Sequence, residues 1–427
     1  MKLSQFNIKS EIDDDILIFN TLSSAFVTLS KESYKKLLRG IAEESLERKL
    51  VNNGILVGDC CDEVKAVEYK FYSKVFDNRS LSLMVAPTMK CNFSCYYCFE
   101  GENKQYGLMD DSTADKLVQF VVSNKPKPVT IIWFGGEPLL GFSKIEYISN
   151  KLIEKEVNFE AKIITNGSLL SDEIINKLSD LRINDIQISI DGIQKDHDKR
   201  RVLKNGGPTF ETIINNIGVL LSHTDVHLSL SVAVDHNNPT AFIDVLSFFE
   251  NNYKNYLRDS RIHISKNYVQ DRTKFDKDHV CFTEEQILEE DIQTLEGKCR
   301  KNQIPGLPKP SIPCMFKCSG SYAIDSKGNI FKCLEYLGRK ELKIGNLNEG
   351  TVSFRRILET SFSNLPFEDT ECRKCAFLPI CLGGCPIDRI KVKEGKLDTC
   401  CSMYKNNLPK LLPYIYKKTI SKQQNKV

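Results

Sequence analysis

The sequence has no apolar run long enough to cross a bilayer, which excludes a membrane-spanning helix and gives no indication of a membrane partner. Its first residues are polar and carry no signal-peptide hydrophobic region, so the expectation is a cytoplasmic protein. Charge of one sign is also missing. Lys and Arg number 59 against 56 Asp and Glu, a net charge of +3, with no sustained basic stripe. That removes the electrostatic footprint of a nucleic-acid binder. The short Lys-rich end, Lys417 to Lys422, reads as a solvated tail. A core is not lacking: 41% hydrophobic and 27% charged residues are ordinary globular composition and exclude global disorder. At 427 residues the chain has room for two or three domains.

Cysteine is abundant, with sixteen in all. A protein kept in a reducing cytosol does not use that many for disulfides, so metal or iron–sulfur ligation is the reading to test. Cys60, Cys61, Cys281 and Cys299 lie outside any pattern and fit inert buried thiols; the others are spaced. The first spaced group is Cys91-Asn-Phe-Ser-Cys95-Tyr-Tyr-Cys98, which follows a strand-like run at Leu81–Val85 and a turn at Pro87. A four-iron cluster takes four ligands. Three local thiolates leave one iron open, and an open metal site points to chemistry rather than structure. A zinc knuckle with a distant fourth ligand is the plainer alternative.

Before this motif, Phe6–Ile12, Ile16–Phe19 and Phe26–Leu29 read as short strands. Helices are expected from Ser30 to Gly40 and from Ile41 to Val51, followed by a short strand at Ile55–Val57. Strands with two or three helices in so short a span suit a small winged-helix module. The charged segment Asp59–Arg79 reads as a connector.

After the motif the chain alternates strands and helices. Strands are predicted at Leu81–Val85, Val129–Phe134, Ala161–Thr165, Asp185–Ile190, His227–Val234 and Arg261–Ser265, rich in Ile, Val and Leu as in strands buried on both faces. Between them, Ile174, Ile175, Leu178 and Leu181, and Phe210, Ile213, Ile214, Ile217 and Leu221, form apolar stripes at helical spacing. Such alternation predicts a parallel sheet, here a partial (β/α)6 TIM-like barrel, with ligand sites at the C-terminal ends of its strands. Those ends carry, in order, the three cysteines, Gly135-Gly136-Glu137-Pro138, Thr165-Asn166-Gly167, and Ser189 with Asp191-Gly192, followed by His197, Asp198, Arg200 and Arg201. Each alone reads as a turn or a capped end; five on one rim in order are hard to assign to chance.

This series, over roughly residues 81–270, resembles the radical S-adenosylmethionine (SAM) superfamily. The resemblance implies that Cys91, Cys95 and Cys98 bind three irons of a [4Fe–4S] cluster and that SAM chelates the fourth. It implies that Tyr97 lies against the adenine and that the Gly135-Gly136-Glu137 turn accepts the SAM ammonium, since glycines let backbone carbonyls approach closely. Ser189 and Arg201 would hold the carboxylate, with Arg200 a competitor, and Asn166 would touch the ribose or the methionine end. The activity implied is reductive cleavage of SAM to a 5′-deoxyadenosyl radical that removes a hydrogen atom from substrate, with an electron donor such as flavodoxin or ferredoxin. The stretch Phe19–Ala25 likewise resembles leader-recognition domains of peptide-modifying enzymes, which bind a peptide by adding it as a strand to a sheet edge; a structural lobe without a ligand is the alternative.

Residues 271–312 are charged and helix-prone and lead to a second cysteine field. It runs Cys314-x3-Cys318-x9-Gly328-x4-Cys333, then Cys372-x2-Cys375-x5-Cys381-x3-Cys385, then Cys400-Cys401, with a hairpin expected over Tyr322–Phe331. This field resembles the SPASM domain, a twitch-type extension of radical SAM enzymes that holds two auxiliary [4Fe–4S] clusters, which makes three in total. By that resemblance one auxiliary cluster uses Cys318, Cys333 and Cys385 with Cys314 as fourth ligand. The other uses Cys372, Cys375, Cys381 and one of Cys400 and Cys401, with Cys400 favoured. The domains so expected are a leader-recognition-like domain at 1–78, the radical SAM barrel at 79–270, a bridge at 271–312, the SPASM domain at 313–405 and a tail at 406–427.

Three functions are compatible with these residues. The first is a maturase that forms a thioether or carbon–carbon cross-link in a ribosomally made precursor peptide with a leader. The second is an anaerobic sulfatase-maturing enzyme that oxidises Ser or Cys to formylglycine; the N-terminal module counts against it. The third, a non-enzymatic iron–sulfur sensor, has little use for the Gly-Gly-Glu-Pro turn together with Ser189 and Arg201.

Overall fold

The computed structural model describes residues 1–98, 100, 107–124, 128–269, 280–296 and 307–424. Of the readings above, residues 271–279 and 297–306 of the 271–312 bridge, Cys299 among them, lie outside the described residues. The chain packs into two compact units: residues 1–76 with 283–318 and 361–427, and residues 77–282 with 319–360.

In the first unit, strands β1 (Lys2–Leu3) and β5 (Leu56–Val57) pair antiparallel, and β2 (Asn7–Ile12), β3 (Asp15–Asn20) and β4 (Phe26–Ser30) form a three-stranded antiparallel sheet in that order. Helices Lys31–Leu38 and Glu44–Asn52 follow, the first capped by the Ser30 hydroxyl accepting from Ser33 N–H. The strands and both helices lie within a few residues of their expected places. One side of the sheet buries Ile16, Ile18 and Leu29 against Tyr34, Leu37 and Leu50 of these helices. The other buries Ile8, Ile12, Leu17 and Phe19 against Ile380, Leu408 and Leu412.

Two expectations need correcting here. The supposed connector is a helix, Glu63–Val75, whose Val64, Val67, Phe71 and Val75 form a stripe packed on Leu365, Phe367 and Leu378. The expected tail at 406–427 begins inside a helix, Tyr404–Gln424, that buries Leu408, Leu411, Leu412 and Ile415, all ahead of the Lys-rich end, where Lys417 is exposed. Both follow from the hydrophobic effect: an apolar stripe at helical spacing is covered, here by residues distant in the chain, whatever the charge on the opposite face. The segments expected as separate domains at 1–78 and 313–405 are therefore not packed separately, because residues 1–76 share their core with 361–427. Cys60 and Cys61 are exposed rather than buried.

The second unit is built on one ten-stranded sheet. Six strands run parallel in chain order: β6 (Leu81–Val85), β7 (Val129–Trp133), β8 (Phe159–Thr165), β9 (Ile183–Ser189), β10 (His227–Val234) and β11 (Ile262–Tyr268). Helices Asp111–Ser123, Phe142–Glu154, Asp172–Lys177, Phe210–His223 and Ala241–Asn252 link them, as the partial (β/α)6 barrel requires. The two apolar stripes expected in these helices are in the core: Ile175, Leu178 and Leu181 are buried, as are Ile213, Ile217 and Leu221. The hairpin β12 (Ser321–Ile324) and β13 (Asn329–Phe331) turns at Gly328, whose φ of +75° favours glycine. It extends the barrel sheet, since β12 pairs parallel with β6, Ser321 opposite Ser82 through Ile324 opposite Val85. Two short antiparallel strands, β14 (Gly345–Asn346) and β15 (Thr351–Val352), complete it.

Candidate functional site

The three cysteines leave the C-terminal end of β6 on a loop held from two sides. On one side Phe93 is buried and bridges Leu203, Ser94 N–H donates to Val202 O (2.9 Å), and Lys204 N–H donates to Asn92 O (2.9 Å). On the other, Glu137 N–H donates to Lys90 O (2.9 Å). A Cβ at Gly136 would lie 2.4 Å from Lys90 O and 2.5 Å from Met89 O. Gly135 has φ +114°, and a Cβ there would meet Thr88 O at 2.5 Å. The Gly-Gly pair is thus needed for the close approach of the cysteine loop. Cys91, Cys95 and Cys98 are all half-buried, and Cys91 Sγ accepts from Phe93 N–H (3.4 Å).

Glu137 is fully buried, and its carboxylate accepts from Leu139 N–H (3.0 Å), Thr165 Oγ–H (2.7 Å) and Asn166 N–H (2.8 Å). Burial lifts its pKa above the usual carboxylate range against the pull of those three donors. Its side chain therefore ties the turn after β7 to the turn after β8. Asn166 continues the chain of bonds: its Nδ2 donates to Asn92 Oδ1 (2.8 Å), beside Cys91, and its Oδ1 accepts from Ser168.

Tyr96 and Tyr97, between the second and third cysteines, meet Arg200 and Arg201 at the end of helix Gln194–Arg200. Tyr97 O–H donates to Asp191 and accepts from Arg201 Nη1 (2.7 Å). Tyr96 O–H donates to Asp235 Oδ2 (2.5 Å) and accepts from Arg200 Nη1 (2.6 Å). Arg200 is buried between Asp235 (2.8 Å) and Asp191 (3.2 Å), whereas among the described residues Arg201 has one carboxylate neighbour, Asp191, at 3.8 Å. Burial opposes the Arg201 charge, yet Tyr97, Cys95 and Asp191 hold its pKa well above the ordinary value. Burial, together with Asp191 and Cys95, keeps Tyr97 a neutral phenol. Arg200 Nη2 and Arg201 Nε have no hydrogen-bond partner among the described residues. Of the two competitors, Arg200 is thus the one already matched by two carboxylates. Ser189 is the last residue of β9, opposite Ser231 of β10.

His197 is buried beneath this network. Its Nδ1 accepts from Asp191 N–H (3.3 Å), and its Nε2 faces Thr209 Oγ1 (3.1 Å), which itself donates to Arg201 O (2.6 Å). That assigns the proton to Nε2. Burial, with Arg201 and Arg200 adjoining, lowers its pKa to about 3, so it is a neutral brace. Asp198 accepts from Thr209 and Phe210 N–H (both 2.8 Å) at the start of the next helix. Tyr96 and Asp235 were not singled out from sequence. Asp235 ends no recognisable motif; its only signal was a carboxylate just past an apolar strand, at the same rim as the others.

In the other unit a second constellation forms. Helix Thr370–Lys374 is capped by Asp369, which accepts from Glu371 and Cys372 N–H (2.9 and 3.0 Å). Leu382, Gly383 and Gly384 are successive left-handed residues after helix Leu378–Cys381, and a Cβ on Gly384 would fall 1.9 Å from Cys400 O. That turn brings Cys372, Cys375, Cys381, Cys400 and Cys401 round one cavity, with Arg389 and Lys405. Cys400 is half-buried and Cys401 exposed. Cys385 immediately precedes helix Pro386–Lys393, with no side-chain bond to its first turn. The other expected set is divided between the units: Cys314 (exposed), Cys318 and Cys385 in the first, Cys333 in the second. Lys317, between Cys314 and Cys318, is buried, donates to Ser363 O (3.0 Å), and is lowered by burial to about 8. Among the described residues no three His, Cys, Asp or Glu side chains converge on a single-ion site. No described helix is long and apolar enough to cross a membrane.

Comparison with known proteins identifies the barrel. The profile of the radical SAM superfamily matches residues 85–249. The serine-type anaerobic sulfatase-maturating enzyme of Bacteroides thetaiotaomicron is 24% identical over 407 residues, 84% of this chain and 96% of that protein. Among solved structures, anSMEcpe with bound AdoMet and Cp18Cys peptide superposes with a TM-score of 0.60 at 19% identity, covering 81% of this chain and 99% of that one. Streptococcus suis SuiB bound to precursor peptide SuiA superposes with a TM-score of 0.54 at 16% identity, covering 94% of this chain and 99% of that one.

Proposed function

The chain is a radical SAM enzyme, its domain of that superfamily spanning residues 85–249, and we propose that it matures a ribosomally made precursor peptide by hydrogen removal, leaving a thioether or carbon–carbon cross-link. The domain implies SAM and a [4Fe–4S] cluster. When bound, the pair supplies a primary 5′-deoxyadenosyl radical able to take hydrogen from an unactivated C–H bond.

The residues present fit that load. Cys91, Cys95 and Cys98 offer three half-buried thiols, one for each of three irons, on a loop braced by Phe93, Asn92 and the Gly135–Gly136 turn. Arg201 carries a buried guanidinium with an uncommitted N–H, suited to a carboxylate, and Ser189 supplies a hydroxyl at the neighbouring strand end. Asp191 and Arg201 fix the Tyr97 ring for an aromatic partner such as adenine. Asn166 and Glu137 act mainly by holding the turns together, since their polar atoms are used inside the protein. Cys372, Cys375, Cys381 and Cys400, which line one cavity of a single unit, are assigned to an auxiliary cluster.

The observation that carries the peptide reading is the small sheet β2-β3-β4 with its two helices, which precedes the barrel in the chain and contributes no strand to its sheet. Its outer strands offer edges that a leader could extend. The fold likeness to SuiB, bound in that structure to precursor peptide SuiA, takes in 94% of this chain against 81% for anSMEcpe, which supports a peptide reading. The test is anaerobic turnover of a leader-bearing precursor encoded beside the enzyme, read by tandem mass spectrometry. A loss of two hydrogens mapped to a cysteine and its partner carbon is expected, with inhibition by isolated leader peptide. Equal modification of a leaderless peptide would refute leader recognition.

The sulfatase-maturing reading is supported by the Bacteroides relative, which aligns over nearly its whole length. A short sulfatase-type peptide bearing Ser or Cys, converted to its aldehyde in the same assay, would establish that activity instead.

A further inference from the structure

Arg389 lies on helix Pro386–Lys393 and is held on three sides. Its Nε donates to Asn364 O (2.9 Å), its Nη2 pairs with Asp369 Oδ2 (2.8 Å), and its Nη1 points at two sulfurs, Cys372 Sγ at 3.4 Å and Cys400 Sγ at 3.9 Å. The side chain is only 12% exposed, so the guanidinium is fixed rather than snorkelling to solvent. We propose that Arg389 is a positioning residue for an iron–sulfur cluster on Cys372, Cys375, Cys381 and Cys400, donating to two ligand sulfurs, selecting Cys400 over Cys401, and raising the cluster's reduction potential. The inference deepens the auxiliary-cluster reading above and rests on it.

The selection follows from backbone geometry. Cys400 O sits where a Gly384 side chain would be, so only glycine lets the 400–401 segment pass this close. With that carbonyl seated, the Cys400 sulfur is turned towards Arg389, while Cys401 is exposed. The effect on potential follows from charge. Reduction adds an electron to an already anionic cluster, and N–H···S bonds and a fixed positive charge favour the more negative state. Asp369 offsets part of that charge, but its carboxylate also accepts from two backbone N–H groups, those of Glu371 and Cys372.

The test uses full-length, anaerobically reconstituted protein, with iron counting and an EPR redox titration. The SAM-dependent signal of the cluster at Cys91, Cys95 and Cys98 reports that the barrel unit of each variant is folded, and resistance to limited proteolysis reports the same for the unit that holds Arg389. Arg389→Gln is expected to keep its iron and to shift the auxiliary midpoint to more negative potential by at least a tenfold change in the reduction equilibrium, 59 mV for one electron. Arg389→Lys should fall between, because an ammonium keeps the charge but reaches fewer sulfurs. Cys400→Ala should lose one cluster's iron and Cys401→Ala should not. Full iron with an unchanged midpoint in Arg389→Gln overturns the inference, as does iron loss in Cys401→Ala but not in Cys400→Ala. If Arg389→Gln does not assemble the cluster, a wild-type midpoint in Arg389→Lys overturns it. Wild-type protein that holds iron for the barrel cluster alone refutes the auxiliary-cluster reading itself.

Discussion

Gly136→Ala separates two roles for the Gly-Gly turn, a contact with SAM and a seat for the cysteine loop. A Cβ at this position would stand 2.4 Å from Lys90 O, 2.5 Å from Met89 O and 2.6 Å from Lys90 C. Against an ordinary nonbonded separation of about 3.4 Å, the shortfall is roughly 1 Å. The atoms in the way are backbone, so no side chain can swing aside, and Glu137 N–H is bonded to the same Lys90 carbonyl. Cys91 is the next residue along. A binding constellation tolerates about 0.5 Å of displacement, so the forced movement is about twice that limit. Overpacking of this kind costs about 1–3 kcal/mol, which, taken from cluster binding, is a factor of roughly 5 to 150 in affinity. The assay is cluster occupancy at graded iron and sulfide without SAM, followed by the SAM-dependent EPR signal of the reduced protein. Gly58→Ala is the control, since nothing lies within 4 Å of a Cβ there and its φ is unrestricted. The variant should need several-fold more iron before SAM is added at all. Wild-type occupancy without SAM, with only SAM binding weakened, would refute the seating argument and leave Gly136 as a ligand contact.

Three further outcomes follow from the same geometry. Glu137→Gln places an amide N–H₂ against a donor in either orientation, because all three partners of the carboxylate are N–H or O–H groups. A loss of about 2–4 kcal/mol is expected, read as a lower thermal midpoint of the barrel unit. His197 has a pKa lowered to about 3 from 6.5. Its contribution is fully present above pH 6.5 and is lost as the pH falls, because the unfolded chain takes up a proton that the folded one excludes. The slope is about 1.4 kcal/mol per pH unit, so between pH 7 and pH 5 the wild type should lose about 2 kcal/mol more than His197→Gln in matched urea titrations. Equal losses would contradict a buried neutral imidazole. Phe71→Ala should destabilise the unit that contains residues 1–76 by about 3–5 kcal/mol, since its ring is buried against Phe367 at 5.2 Å between centroids. Proteolysis in urea would report that loss at 361–427 as well as at the N-terminus.

What could be read from the sequence divides along a physical line. The six barrel strands and their helices were legible because their signal is local: apolar runs buried on both faces, then apolar residues at helical spacing. The rim residues were legible because reactive side chains follow strand ends in chain order. The partners of those residues were not. Tyr96 and Asp235 are 139 positions apart, and Arg200 and Asp235 are 35 apart. Nothing in either neighbourhood says that a phenol, a guanidinium and a carboxylate will share one buried point. The pairing of β12 with β6 is equally silent, because both are short apolar strands that would suit many neighbours. The helix Glu63–Val75 is hidden for a different reason. Its composition is that of a charged connector, whereas its fate is decided by position, with four apolar residues on one face and Leu365 and Phe367 available to cover them.

The same division bears on function. Side chains that would touch SAM or iron stand out in the sequence, yet several have their polar atoms spent inside the protein. Glu137 bonds three donors, Asn166 bonds Asn92 beside Cys91, and Arg200 lies between two carboxylates. A motif position therefore does not by itself mean a ligand contact, because a loop that carries three cysteines must also be held still. Arg201 differs from Arg200 by one residue in the chain and by one carboxylate in its surroundings. That second difference, invisible in the run His-Asp-Lys-Arg-Arg, leaves Arg201 with charge to offer. Arg201→Lys should then weaken SAM binding with little change in cluster occupancy, while Arg200→Lys should lower stability first. Isothermal titration with SAM and thermal melts of the two variants test that assignment, and the opposite pattern would exchange the two roles.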